Sequence, residues 1–209
     1  MKNKKPLHIA IAGNIGAGKT SLTKLLANSY KWDTLFEDVD DNPYLDDFYD
    51  EMQRWSFNLQ IYFLKSRFYQ LKKIKESSKT TIQDRTIYED AYIFAPNLHS
   101  MGLMTTRDFD NYIDIFNLME SMVSPPDLLI YLRASVPKIV EQIQSRGREY
   151  ENTIRIDYLK LLHERYEAWI STYEKGNHII IDVDNLNFVK NNDDLQKVFL
   201  SVDKALKKT

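Results

Sequence analysis

The 209-residue sequence predicts an α/β protein in which one parallel sheet carries helices on both faces. Continuous apolar runs at 7–12 and 128–132, with a shorter one within 178–182, have the character of strands buried on both sides. Segments with apolar residues at helical spacing alternate with them. No internal repeat, low-complexity segment or linker interrupts the alternation, and the length suits a single domain over residues 1–209.

The first strand, 7–12, is closed by a glycine-rich turn, and a helix over 20–30 follows with Leu22, Leu25 and Leu26 on one face. A short strand at 34–36 ends at Glu37 and leads into an acidic, Pro-containing loop over 38–47. Residues 54–75 contain neither Gly nor Pro and read as one long helix. The third strand, 80–83, ends at Asp84 and Arg85, and two helices follow at 89–100 and 106–123. Ser124, Pro125 and Pro126 stop the second of these before the strand at 128–132. Ser135 with Pro137 starts a helix that runs to about Ser145. A short basic loop covers 146–151, an amphipathic helix 156–174, the fifth strand 178–182, and a closing helix 193–207.

Composition removes several classes of function. With 28 basic against 30 acidic residues the net charge is -2, whereas a chain built to grip a nucleic-acid polymer needs a basic surplus. Cysteine is absent, so disulfides, zinc-thiolate sites and thiol nucleophiles are excluded. No stretch reaches the ~20 apolar residues that span a bilayer, and residues 7–12 are too short for a signal-peptide core. A cytoplasmic protein without a membrane partner is expected. His8, His99, His163 and His178 lack metal-ligand spacing and read as ordinary core or surface residues.

Of the six glycines, three fall within Gly13, Asn14, Ile15, Gly16, Ala17, Gly18, Lys19 and Thr20. This is G-x-x-x-x-G-K-[ST] between a strand and a helix, where backbone N–H groups and a helix N-terminus cradle a phosphate. The context outweighs the plain alternative of a glycine turn before a helix. Lys19 is placed to reach the β- and γ-phosphates of ATP and the Thr20 hydroxyl to bind Mg2+. The fold expected is thus the three-layer P-loop NTPase arrangement with a five-stranded parallel sheet; the arginine-rich segment within 142–151 is, from the residues alone, a solvated loop, and the family resemblance given below implies that it is a short lid.

A phosphate loop alone does not separate a kinase from a switch. Ligands in open α/β sheets gather at the carboxyl ends of strands, where this sequence has Glu37 and the pair Asp84–Arg85. A carboxylate there can take the proton of an attacking hydroxyl, a second can organise Mg2+, and an arginine can stabilise transferred charge. On the long helix, Gln60 and Arg67 lie two turns apart on nearly one face. Asp90 and Phe94 add a carboxylate and a ring. Spacing alone leaves open whether these four read a nucleobase or form a structural ion pair among core aromatics.

The chain resembles the deoxyribonucleoside kinase family. The resemblance runs through nearly the whole sequence, on the phosphate loop, on Glu37-Asp38-Val39 and on Arg54-Trp55-Ser56-Phe57-Asn58-Leu59-Gln60. It continues on Ser66-Arg67, Asp84-Arg85-Thr86-Ile87-Tyr88-Glu89-Asp90, Tyr92-Ile93-Phe94-Ala95 and Arg146-Gly147-Arg148-Glu149-Tyr150-Glu151. It implies that Glu37 is the general base for the 5′-hydroxyl and that Arg85 stands beside that hydroxyl and the transferred phosphoryl group. Tyr49 and Glu151 match groups on the sugar 3′-hydroxyl, and Gln60, Arg67 and Asp90 match groups hydrogen-bonding the base, with Phe94 stacked on it. Arg146 and Arg148 match lid arginines over the ATP phosphates, and the family pairs subunits through helices near 109–122, which implies a homodimer.

Three positions depart from the family pattern. Asp84 stands where the animal enzymes carry Glu, Gln142 where some relatives have Arg, and Asp38 where Pro is common after the base. The Arg67/Asp90 pair resembles the purine- and cytidine-type members, so the expected substrate is a purine deoxynucleoside, deoxyadenosine ahead of deoxyguanosine, with deoxycytidine an option. Two other readings compete: a monophosphate kinase of the thymidylate kinase type, and a nucleotide-binding switch without phosphotransfer. The acidic 38–47 segment would repel an acceptor phosphate, and a switch has no use for Glu37 and Arg85 together.

Overall fold

The computed structural model describes residues 5–37, 39, 41–148, 151 and 154–207; Asp38, Glu149 and Tyr150 of the motifs above lie outside the described residues. Five strands, β1 (His8–Gly13), β2 (Asp33–Leu35), β3 (Thr81–Asp84), β4 (Leu128–Arg133) and β5 (Asn177–Asp182), form one sheet. It is wholly parallel, in the order β2-β3-β1-β4-β5. The helices are α1 (Lys19–Tyr30), α2 (Leu45–Asp50), α3 (Met52–Glu76), α4 (Ile87–Glu89), α5 (Ala95–Ser100), α6 (Thr106–Glu120), α7 (Val136–Arg146), α8 (Ile156–Ser171) and α9 (Asn192–Leu206). A π-helical turn, Asp90–Phe94, joins α4 to α5.

Strand periodicity sorts the apolar side chains into two cores. Ala10, Ala12, Leu129 and Tyr131 point to the face covered by α3, α5, α6 and α8. Ile9, Ile11, Leu128, Ile130 and Leu132 point to the other face, packed on Leu22 and Leu26 of α1, Ile139 of α7 and Val198 of α9. All nine strand residues are buried, and each large one adds about 1.5–3 kcal/mol relative to exposure. The chain leaves the central β1 towards β3 and β2 on one side and β4 and β5 on the other, which opens a crevice at the carboxyl ends of the strands. Ile11 of β1 pairs with Asp84 of β3 and Gly13 with Leu132 of β4, so Asp84 and Gly13 both lie at this end of the sheet.

The structure departs from the expected elements at four places. Part of the expected acidic loop is α2, with Leu45 and Phe48 buried and Asp46 and Asp47 favourably placed in its first turn. β2 stops at Leu35, leaving Phe36 and Glu37 beyond the strand. Arg146 belongs to the last turn of α7, because the left-handed residue that ends the helix is Gly147 (φ 69°). The helix expected from Glu89 starts earlier, at a capping box in which Thr86 and Glu89 exchange hydrogen bonds, and contains the π turn.

Candidate active site

The phosphate loop leaves β1 and enters α1 through two left-handed glycines, Gly16 (φ 81°) and Gly18 (φ 92°). A Cβ on Gly16 would lie 2.9 Å from Ile143 Cγ1 and 3.0 Å from the Ile139 carbonyl, so the loop presses against α7 where only glycine fits. The Asn14 side chain ties the loop to α8, its Nδ2 donating to the Leu159 carbonyl and its Oδ1 accepting from Ile15 N–H. Asn14 thus shapes the cradle from behind, since it does not line the cavity in front of it. Lys19 Nζ donates to the Asn14 carbonyl at 3.0 Å. Burial and the nearby Arg85 hold its pKa down at about 8, with Asp84, Glu37 and Glu89 opposing.

Thr20 Oγ1 donates to Asp84 Oδ2 at 2.5 Å. The other carboxylate oxygen, Asp84 Oδ1, is buried without a hydrogen-bond partner among the described residues. Burial raises the Asp84 pKa, against Lys19. A hydroxyl and a carboxylate with a spare oxygen suit Mg2+, which takes one or two protein oxygens together with phosphates and water.

Glu37 is the centre of the charged cluster. Its Oε1 accepts from Arg67 Nη2 at 2.7 Å and is ion-paired with Arg85 Nε at 3.0 Å. Burial alone would raise the Glu37 pKa, but Arg85, Arg67 and Lys19 outweigh it and hold the carboxyl at about 2. Arg85 has a left-handed backbone (φ 70°), costly by about 1–2 kcal/mol for a side chain, and its N–H donates to the Ile11 carbonyl. Its Nη1 donates to Tyr166 OH at 2.6 Å, and Tyr166 OH donates in turn to Glu89 Oε1 at 2.8 Å. That same oxygen accepts from Gly13 N–H at 3.2 Å, so one buried carboxylate links the phosphate loop to the arginine.

Beside Glu37 the cavity is lined by Gln60, Asp90 and Phe94. Arg67 is buried behind them and bridges Glu37 to Asp90, with Nε 3.0 Å from Asp90 Oδ2. The Nε–H direction misses that oxygen, so the pair is ionic without an aligned hydrogen bond, and Asp90 Oδ2 stays unpaired as an acceptor. Gln60 Oε1 is a second buried acceptor with no partner among the described residues. Burial pushes the Asp90 pKa up to about 7 despite Arg67 and Arg85. The Arg85 guanidinium also lies 4.5 Å from the centre of the Phe94 ring.

The same cavity, about 720 Å3, takes in Gly16, Gly18, Lys19, Thr20, Tyr49, Arg146, Arg148 and Glu151. Both arginines face the buried Glu151: Arg146 pairs with both its oxygens and Arg148 Nη1 lies 3.7 Å from Oε1. One continuous space therefore joins a phosphate cradle to a carboxylate–arginine centre and a polar, aromatic end, the layout of a two-substrate phosphotransferase.

A family model for deoxynucleoside kinases matches residues 9–207. The chain belongs to the deoxynucleoside kinase family. A deoxyadenosine/deoxycytidine kinase from Bacillus subtilis (strain 168) is 38% identical over 194 residues, which cover 91% of this chain and 88% of that protein. A deoxyadenosine kinase from Dictyostelium discoideum is 41% identical over 169 residues, 81% of this chain and 69% of its own. A deoxyguanosine kinase from Lactobacillus johnsonii is 35% identical over 209 residues, 95% and 92% respectively. Among solved structures, the deoxyadenosine kinase from M. mycoides with dATP bound superposes with a TM-score of 0.83 at 27% identity, covering 94% of this chain and all of that one. The same M. mycoides enzyme has also been solved with dCMP and dCDP, again with a TM-score of 0.83. Family membership makes the chain an enzyme and sets aside the non-catalytic switch. No helix among the described residues is long and apolar enough to cross a membrane.

The deoxynucleoside kinase cavity also contains residues that sequence reasoning missed. Leu186, Asn187, Phe188, Val189 and Lys190 line it after β5, and Phe188 Cζ would lie 3.1 Å from a Cβ on Gly18. No motif marks this loop. Glu89 was legible only as the fourth residue of Thr86-x-x-Glu89, a helix-start pattern that says nothing of its contact with Gly13.

Proposed function

We propose that this chain transfers the γ-phosphoryl group of ATP to the 5′-hydroxyl of a deoxyribonucleoside carrying an amino-bearing base, deoxyadenosine ahead of deoxyguanosine, with deoxycytidine accepted. The observations that carry the base preference are Gln60, whose buried Oε1 has no hydrogen-bond partner among the described residues, and Asp90, whose Oδ2 is ion-paired with Arg67 without an aligned hydrogen bond; both residues line the cavity beside Phe94. Leaving an acceptor such as Gln60 Oε1 buried without a donor costs about 1–3 kcal/mol, which an exocyclic amino group would recover. Thymine offers no amino group. The relatives named for deoxyadenosine, 38% and 41% identical, support placing that substrate first.

In this reading the loop N–H groups and Lys19 hold the donor phosphates. Thr20 and Asp84 would hold the Mg2+ that neutralises phosphate charge when it is bound. The 5′-oxygen forms its bond to the γ-phosphorus, the bond to the β–γ bridging oxygen breaks, and the hydroxyl proton passes to Glu37. A carboxyl held near 2 is a weak base. That is sufficient, because phosphoryl transfer passes through a loose transition state in which proton removal is late and charge sits on the phosphoryl oxygens. Arg85, fixed by Glu37, Tyr166 and Glu89, is set to meet that charge. Tyr49 and Glu151 are assigned to the sugar 3′-hydroxyl. Arg146 and Arg148 then exchange their pairing with Glu151 for the donor phosphates.

The exposed Leu118 and Met122, on α6 and just past it, support a homodimer through this face, which a molar mass measured in solution tests. The reaction is tested by incubating the protein with Mg-ATP and each of four deoxynucleosides and four deoxynucleoside monophosphates. Deoxyadenosine 5′-monophosphate as the leading product is expected. Phosphorylation confined to monophosphates would reverse the reading.

A further inference from the structure

Glu37 lies two residues past the end of β2, outside any strand or helix. A buried chain of side chains holds the residue before it. Gln70 Nε2 of α3 donates to the Phe36 carbonyl at 2.7 Å, Gln83 Nε2 of β3 donates to Gln70 Oε1 at 2.9 Å, and Gln83 Oε1 lies 3.0 Å from His8 Nε2 of β1. The direction of every bond follows from one end. A carbonyl only accepts, so Gln70 must present its nitrogen to Phe36 and its oxygen to Gln83. Gln83 must then present its oxygen to His8, which must carry its proton on Nε2. Burial keeps His8 neutral, with its pKa down at about 4, and a neutral ring has the single N–H this chain needs. His8 is itself fixed, because its backbone N–H donates to Asp127 Oδ2 at 2.7 Å.

None of the three side chains lines the cavity, yet all are buried, with Gln83 fully so. A core needs no such groups for stability, and each is tolerated only while it is paired. Their common end point is the peptide that precedes Glu37. Gln70 also follows Arg67 by three residues on α3, so one face of that helix grips both the Glu37 carboxylate and the carbonyl of Phe36.

We propose that Gln70, oriented through Gln83 and His8, is a positioning residue that sets the Glu37 carboxylate against the 5′-hydroxyl. The inference rests on the reading of Glu37 given above. Gln70→Met removes the link to Phe36 together with the bond from Gln83, Gln70→Glu keeps the acceptor for Gln83 but turns a carboxylate oxygen towards the Phe36 carbonyl, and Gln83→Met removes the two bonds behind Gln70, to Gln70 and to His8, while leaving the link to Phe36. With deoxyadenosine and Mg-ATP, kcat is expected to fall about tenfold in both Gln70 variants and less in Gln83→Met. KM for Mg-ATP should stay within about twofold of wild type in all three, since the donor cradle is untouched. A purely structural role would lower Tm in all three and spare kcat. Should Gln70→Met not fold, Gln70→Glu decides. Wild-type kcat in a folded Gln70 variant would overturn the positioning role alone. A wild-type chain that phosphorylates no deoxynucleoside would overturn the function and this inference with it.

Discussion

Glu37 Oε1 and Arg67 Nη2 lie 2.7 Å apart, and through this contact Glu37 and Asp90, both lining the cavity, share one arginine. Arg67 also faces Asp90, so a change at either carboxylate is felt at the other. Because Arg67 does not itself line the cavity, the proposed function gives it a base contact only through Asp90.

Burial of Asp90 gives the proposed nucleoside recognition a pH dependence. It pushes the Asp90 carboxyl up to about 7 despite Arg67 and Arg85. A base amino group donates to the ionised form, so nucleoside affinity is full above that pKa and is lost as pH falls through it. KM for deoxyadenosine should rise below pH 7, while KM for Mg-ATP stays flat from pH 6 to 7. Initial-rate measurements with each substrate varied in turn check both.

Lys19 gives the opposite sign for the donor. Its pKa is about 8 before phosphate binds, and an anion stabilises the ammonium form. Donor affinity is complete below about 8 and falls as pH rises through it, so KM for Mg-ATP should climb between pH 8 and 9. A donor KM constant over that range would contradict the role of Lys19.

Gly16→Ala places a methyl group 2.9 Å from Ile143 and 3.0 Å from a backbone carbonyl at φ 81°. Overpacking with a strained backbone is expected to cost about 1–3 kcal/mol. Denaturant unfolding should show the loss, and ATP binding should weaken because the loop moves with it.

Removing the hydroxyl in Tyr166→Phe leaves Arg85 Nη1 and Glu89 Oε1 each short of one partner. The fold should survive, since the ring still packs on Tyr131. With Arg85 less firmly held, kcat should fall on the order of tenfold, read from saturating initial rates beside the melting temperature.

The sheet was legible because continuous apolar strands such as 7–12 and 128–132 differ so plainly from the helices between them. The glycine turn was legible from its motif, and the structure adds the physical reason for two of its glycines: Gly16 and Gly18 have left-handed backbones and are crowded by Ile139 and Ile143 and by Phe188 respectively. α2 was not, because the i, i+3, i+4 spacing of Leu45, Phe48 and Tyr49 spans barely one turn among three aspartates, and burial of Leu45 and Phe48 decides the helix. The roles of Gln70, Gln83 and Glu89 were not, because their partners are distant in sequence: Gln70 meets Phe36, and Glu89 meets Gly13. Gln60 and Asp90 were named as candidates, but only three dimensions show that Gln60 Oε1 is buried without a partner among the described residues and that Asp90 is ion-paired with Arg67.

The most direct test replaces Glu37 by Gln, which keeps the shape of the side chain and removes the charge that Arg67 and Arg85 enclose. Single-turnover phosphorylation of deoxyadenosine should slow by about 10²–10⁴-fold, with the dissociation constant for ATP within about threefold of wild type. Undiminished phosphoryl transfer in Glu37→Gln would contradict the assignment of Glu37 and the mechanism built on it.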